Sequence, residues 1–233
     1  MTLYLSRLTL NRDTPAAALL PLLNPREPGS AADAHHRLIW SVFADSAERK
    51  RDFLWRHDGQ GRFYTLSSRP PQPSALFNPP ATKVFDPALR EGDRLQFTLR
   101  ANATKDRAVI SRMEKAARRG KSRRVDVVMD LLRTAPEDEK RAEIRDRTAQ
   151  VAAEAWMTRQ GAARGFEPRK TIVEGYSTIE LGRSRRQGAT FGILNLAGEI
   201  AVTKPEAFLT ALAAGFGRAK AWGCGLMLIR RVR

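Results

Sequence analysis

The chain has 233 residues, 42% of them hydrophobic, enough for one large domain or two of about 100 residues with real cores. Its 41 lysines and arginines against 25 acids give a formal net charge of +16. That imbalance argues against an ordinary cytosolic enzyme of small molecules and for a polyanionic partner, nucleic acid first and a membrane surface second.

Taken in order, Leu3–Leu10 alternates and predicts a largely buried strand. Pro15, Pro21, Pro25 and Pro28 then interrupt a partly apolar connection. A helix capped at Ser30 or Asp33 is predicted to follow, with Ile39, Trp40 and Phe43 on one face and His36 one turn before Trp40. Phe53–His57 and Phe63–Ser67 flank Asp58-Gly-Gln-Gly-Arg62, a hairpin pattern. Arg69–Pro87 is rich in proline and predicts little regular structure. Asp93–Ala101 alternates again as a strand. The order is close to βαββαβ with a weak second helix.

Arg100–Arg124 holds ten cations and two acids. Such a run is ordinarily solvated, or orders on a polyanion. From Pro136 a helix is predicted, with Ile144, Val151, Ala155 and Trp156 as its apolar stripe and Gly161 and Gly165 at its end. Strands follow around Thr171–Leu181 and Ala189–Val202, joined by the basic tip Gly182-Arg-Ser-Arg-Arg-Gln-Gly188. A short helix Pro205–Ala214, a glycine-rich loop and a final strand Leu226–Val232 complete the chain. Counting a strand lent from Asp93–Ala101, the second half makes another βαββαβ. The expected fold is α+β: two tandem ferredoxin-like (RRM-like) domains joined by a basic linker. The expected bounds are 1–104, a linker 105–135, and 136–233.

The loop Gly215-Phe-Gly-Arg-Ala-Lys-Ala-Trp-Gly-Cys-Gly225 carries Gly215, Gly217, Gly223 and Gly225 with Arg218 and Lys220 and no acid. Backbone amides beside cations suit phosphate oxygens. The same residues fit a helix C-cap followed by a tight turn. A dinucleotide or Walker loop is excluded by order, because those run strand–loop–helix and this one runs helix–loop–strand.

One cysteine, Cys224, permits no intrachain disulfide, and with His35, His36 and His57 it makes no zinc site, so no metal or cofactor is expected. No segment approaches the roughly 20 apolar residues of a membrane span. The N-terminus lacks a signal peptide's apolar block, so a soluble, cytoplasmic protein is expected. His36 is the candidate for chemistry, since imidazole exchanges protons near neutral pH without a metal. His35 lies about 100° round the helix from it and should face elsewhere.

Four segments together resemble the CasE family of CRISPR repeat-RNA endoribonucleases. They are Leu3-Tyr-Leu-Ser-Arg-Leu8, His36-Arg-Leu-Ile-Trp40 with Phe43, Arg94–Asn102 with Lys105, and Gly215–Leu226. The resemblance implies two ferredoxin-like domains and metal-independent cleavage at the 3′ base of a repeat stem-loop. The ribose 2′-hydroxyl would attack, leaving a 5′-hydroxyl and a cyclic or 3′-phosphate end. The product would stay bound within the Cascade complex. It maps the catalytic histidine onto His36. Arg183, Arg185 and Arg186 would grip the stem. Lys220 with the loop amides would hold the backbone or steady phosphorane charge, and Arg118, Arg119, Arg123 and Arg124 would add affinity. Where familiar members carry tyrosine three residues before the histidine, this chain has Asp33. A non-catalytic structured-RNA-binding subunit, and more remotely a basic DNA-associated structural protein, are the alternatives.

Overall fold

The computed structural model describes residues 2–12, 25, 27–46, 48–107, 123–134, 141–180 and 190–232, the side chains of 123 and 141–143 excepted. The first alternating segment forms β1 (Tyr4–Thr9). Helix α1 (Pro28–Trp40) begins earlier than Ser30 or Asp33 would place it. Pro28 has the φ a first helical turn needs, and the Glu27 carboxylate caps it by accepting from the amides of Gly29 and Ser30. The helix ends at Trp40, and Phe43, predicted within it, is buried in the turn that follows.

Strands β2 (Phe53–His57) and β3 (Arg62–Ser67) form the expected hairpin across Gly59 and Gly61. Strand β4 (Ala81–Val84) lies in the proline-rich stretch predicted to be irregular. It pairs with β1 at the sheet edge and is exposed throughout, so it carries no alternating pattern by which sequence could reveal it. The order β2-β3-β1-β4 is that of a ferredoxin-like sheet.

Strand β5 (Arg94–Ala101) belongs to the other sheet, antiparallel to both β9 (Thr190–Val202) and β10 (Met227–Arg231). The second sheet has the order β10-β5-β9-β8, where β8 is Phe166–Glu180. A boundary at residue 104 therefore does not follow the sheets, since β5 is the first strand of the second unit. The predicted linker is partly regular: β6 (Thr104–Arg107) pairs with β7 (Arg123–Asp126), and helix α2 (Val127–Arg133) follows under an Asp126 cap. Helices α3 (Arg141–Arg164) and α4 (Pro205–Ala214) complete the unit.

In α3 the buried face is Ile144, Ala149, Ala152, Ala153, Trp156 and Met157. Val151, assigned to that stripe, is 54% exposed, and Ala155 is exposed too. Alanines made the true face too weak to stand out from a helix rich in alanine on all sides. Gly161 does not end the helix; a Cβ there would meet the Phe166 carbonyl oxygen at 2.3 Å. The helix stops at Gly165, which has φ +78°.

Each sheet covers one face with its own helices. Leu8, Leu10, Phe53, Trp55 and Phe63 pack with Leu38, Ile39 and Phe43 in the first unit. Leu95, Phe97, Leu99 and Ala101 pack with Trp156, Phe208 and Phe216 in the second. The alternate residues turn the other way and join the units: Leu54 and Leu66 meet Leu226, and Arg56 donates to the Thr98 hydroxyl at 3.0 Å.

Candidate nucleic-acid interface

Consecutive histidines on α1 divide between core and surface, as a 100° helical step requires. His35 is 5% exposed and packs edge-on to Phe63, with its ring centroid 5.0 Å away, and 4.5 Å from the His57 ring. His36 is half-buried and turned to the loop after α4. Its Nδ1 lies 2.8 Å from the Ala221 carbonyl oxygen. A carbonyl only accepts, so Nδ1 carries a proton and the neutral ring has its lone pair on Nε2. Trp222 lies nearly parallel to the imidazole (29°, centroids 6.4 Å apart) and Trp40 lies edge-on to it. Asp33 Oδ1 takes the Trp222 indole N–H at a long 3.4 Å. The aspartate at the position the resemblance gives to tyrosine thus touches the ring beside His36.

The loop is held by its own amides. Gly215 donates to Ala211, Phe216 to Gly225, Arg218 to Asn102, Trp222 to Ala219 and Gly225 to Arg100. Those five amides point inward, as the C-cap and turn reading has it. At Gly217 φ is +71° and a Cβ would meet the Asn102 carbonyl oxygen at 2.6 Å. Gly223 lies flat on the Trp55 ring, where a Cβ would come within 3.0 Å. These close approaches place the 3-10 turn Lys220–Trp222 over α1.

Lys220 donates to the Ala214 carbonyl at 2.6 Å. Desolvation, then the nearby Arg164 and Arg51, hold its pKa below the usual lysine value. Arg164, at the end of α3, donates to the Gly215 carbonyl and lies over Phe216. Arg218 is exposed. Arg51, Arg164 and Trp222 were not singled out from sequence. Arg51 ends the run Arg49-Lys50-Arg51 between two acids, Arg164 is a lone cation at a helix end, and Trp222 reads there as one loop aromatic. Cys224 is fully buried, its thiol pushed up to about 11 by burial, which keeps it inert.

Of the remaining predicted contacts, Arg124 lies on β7 in an exposed ion pair with Asp106 (3.0 Å), which costs little to exchange for a phosphate. Arg123 has its backbone in β7. Arg118, Arg119, Arg183, Arg185 and Arg186 lie outside the described residues. Lys105 pairs with Asp130 at 2.7 Å. Among the described residues no group of His, Cys, Asp and Glu could hold a metal ion, and no helix is long and apolar enough to cross a membrane.

Burial, with His57 and Arg100 nearby, lowers His35 to about 4. Above its unfolded value near 6.5 both states are neutral and stability is unaffected. Between about 6.5 and 4 the unfolded chain binds a proton that the folded one refuses, so stability falls as pH falls. The melting temperature is expected to drop across that window by about 5–10 °C, and the drop should shrink in His35→Phe. Equal acid sensitivity in the two proteins would remove His35 as its source.

Two ferredoxin-like units in tandem, the first presenting a helical histidine to a glycine-rich loop of the second, define a class: the tandem RRM-like proteins with a basic inter-unit surface. The family model described as CRISPR associated protein matches residues 3–231, and the chain belongs to that family. Its structure is similar to that of the CRISPR endoribonuclease Cse3 bound to a 19-nucleotide RNA (25% identity, 98% of each chain, TM-score 0.66). It is similar to Thermus thermophilus Cse3 bound to an RNA representing a pre-cleavage complex (24%, 99% of this chain and 100% of that one, 0.66). It also resembles Cas6e from Escherichia coli K-12 (19%, 98% and 100%, 0.61). The resemblance to CasE, the Cse3 type, is thereby borne out, as is the fold. No curated protein sequence matches significantly.

Proposed function

We propose that the protein cleaves CRISPR precursor RNA at the 3′ base of each repeat stem-loop, without a metal, and stays on the product as a subunit of a Cascade complex. The observation that carries the reading is His36 Nδ1 at 2.8 Å from the Ala221 carbonyl, which presents Nε2 as a base. Its support from outside is the likeness to Cse3 structures bound to RNA and to a subunit of an RNA-guided surveillance complex (18% identity, TM-score 0.59).

In this reading Nε2 takes the proton of the 2′-hydroxyl as that oxygen attacks the adjacent phosphorus. The bond from phosphorus to the 5′-oxygen breaks, leaving a 2′,3′-cyclic phosphate, the departing oxygen takes a proton from water to become a 5′-hydroxyl, and the imidazolium returns its proton to solvent. One histidine serves as acid or base at a given step, and its tautomer favours the base role here. Lys220, Arg164 and Arg51 place positive charge near the developing phosphorane oxygens. Arg183, Arg185 and Arg186 grip the stem, with Arg218 at the loop and Arg118, Arg119, Arg123 and Arg124 from the basic segment. Double-stranded RNA suits such a surface, because it is recognised by shape and backbone.

Incubation with a CRISPR repeat RNA in EDTA should give cutting that a 2′-deoxy substitution at the scissile nucleotide abolishes. Cutting that survives the deoxy substitution rules out the internal nucleophile. Tight binding with no cutting of any repeat favours the RNA-binding subunit. Replacing Arg185 and Arg186 together should weaken binding and lower the salt slope by about 2; an unchanged slope takes that hairpin off the RNA.

A further inference from the structure

Next to Trp222, the ring stacked on His36, lies a cavity of about 130 Å³. It opens between the N-terminal half of α1 and the junction of the two sheets, lined by Ala31, His35, Trp55, His57, Arg100 and Trp222. Its volume is close to the ~150 Å³ of an engineered cavity that takes up benzene, so it holds one aromatic ring. The walls are rings or apolar groups, Ile179 among them, and the single cation is Arg100. Trp55 Nε1 and His57 Nε2 are buried and have no hydrogen-bond partner among the described residues. Both atoms carry almost no accessible surface, so a ligand in the cavity meets the ring faces and Arg100 rather than these nitrogens.

We propose that this cavity receives one extruded pyrimidine base, through its keto oxygen, from a nucleotide flanking the one presented to His36. This rests on the RNA-cleaving reading above. Single-stranded bases are held by stacking on aromatic rings and guanidinium planes and by hydrogen bonds to their edges. The guanidinium of Arg100 suits keto acceptors, as in its pairing with guanine. A phosphate fits worse, because it would bring one or two negative charges into an aromatic pocket with one cation. Burial also lowers both histidines, so the neutral rings add no further charge. Trp222 connects the two sites: it lines the cavity and stacks on His36, so a seated base and an aligned ribose would be set by the same ring.

The test crosses protein and RNA changes. Ala31→Leu fills the cavity from the helix, and Arg100→Met removes the cation as a second probe should the first variant unfold. Each nucleotide flanking the scissile phosphate of a synthetic repeat RNA is made abasic in turn, and dissociation constants are measured. At one position the abasic RNA is expected to bind the parent protein about tenfold more weakly. Ala31→Leu should lose about the same with intact RNA, and the two together no more than either alone. Adenine or guanine at that position, one ring too large for the cavity, should behave as the abasic site does, and uracil should bind as the parent RNA does. Penalties that multiply at every position, or a purine that binds as well as uracil, would overturn the pocket. A protein that binds and cuts with multiplying penalties loses only the pocket; one that binds no repeat RNA loses the cleavage reading as well.

Discussion

Replacing His36 by alanine is expected to leave repeat-RNA affinity unchanged and to slow single-turnover cleavage at least ~10²-fold, the usual scale of general acid–base catalysis. Affinity is spared because a neutral imidazole adds little to a surface built on arginine and lysine. Rate is lost because the ring is positioned on three sides: the Ala221 carbonyl fixes its proton, Trp222 covers one face, and Trp40 meets its edge. The matching His35→Ala protein should lose stability and, at saturating RNA, keep the per-molecule rate of its folded fraction, since that ring packs on Phe63 and the adjoining cavity and not on the Ala221 carbonyl. A slow His35→Ala with a fast His36→Ala would move the chemistry to the neighbouring ring and sink the assignment.

Gly217→Ala is expected to be the most damaging single change in the loop. A residue with a Cβ at φ +71° costs about 1–3 kcal/mol, and this Cβ also meets the Asn102 carbonyl at 2.6 Å. The bridge between Asn102 and Arg218 must open, and the Ala221 carbonyl that orients His36 moves with the turn. A fall in melting temperature of about 5–10 °C and a drop in cleavage rate of tenfold or more should result. Gly92 is the control: its φ is +85°, yet nothing lies within 4 Å of its would-be Cβ. Gly92→Ala should show the conformational cost alone and full activity. Identical losses in the two variants would mean that the close approach to Asn102 does not position the site.

Both predictions turn on features legible to different degrees before the fold was known. His36 was legible because β1, α1 and the hairpin fix its place in a βαββ order, and because a helix separates neighbours by 100°. The glycines at 215, 217, 223 and 225 were legible as a loop, but its use of backbone was not. Five amides that looked available to phosphate are taken by Ala211, Gly225, Asn102, Ala219 and Arg100, and two of these acceptors, Asn102 and Arg100, are remote in sequence from their donors. The basic segment looked uniform, yet its two ends pair as β6 and β7 across residues that leave no alternating pattern.

By itself the sequence determined the α+β class, the two βαββαβ-like halves, the polyanion-seeking charge and the histidine worth testing. Those follow from local periodicity, chain order and composition, which every residue carries with it. Only the tertiary structure decided that β5 starts the second unit, that Asp33 and Trp222 meet beside His36, and that Trp55, His57 and Arg100 surround one cavity. Those depend on strands pairing across about a hundred residues and on glycines close-packed against another unit's rings. Such contacts leave no periodic trace in the segments they join.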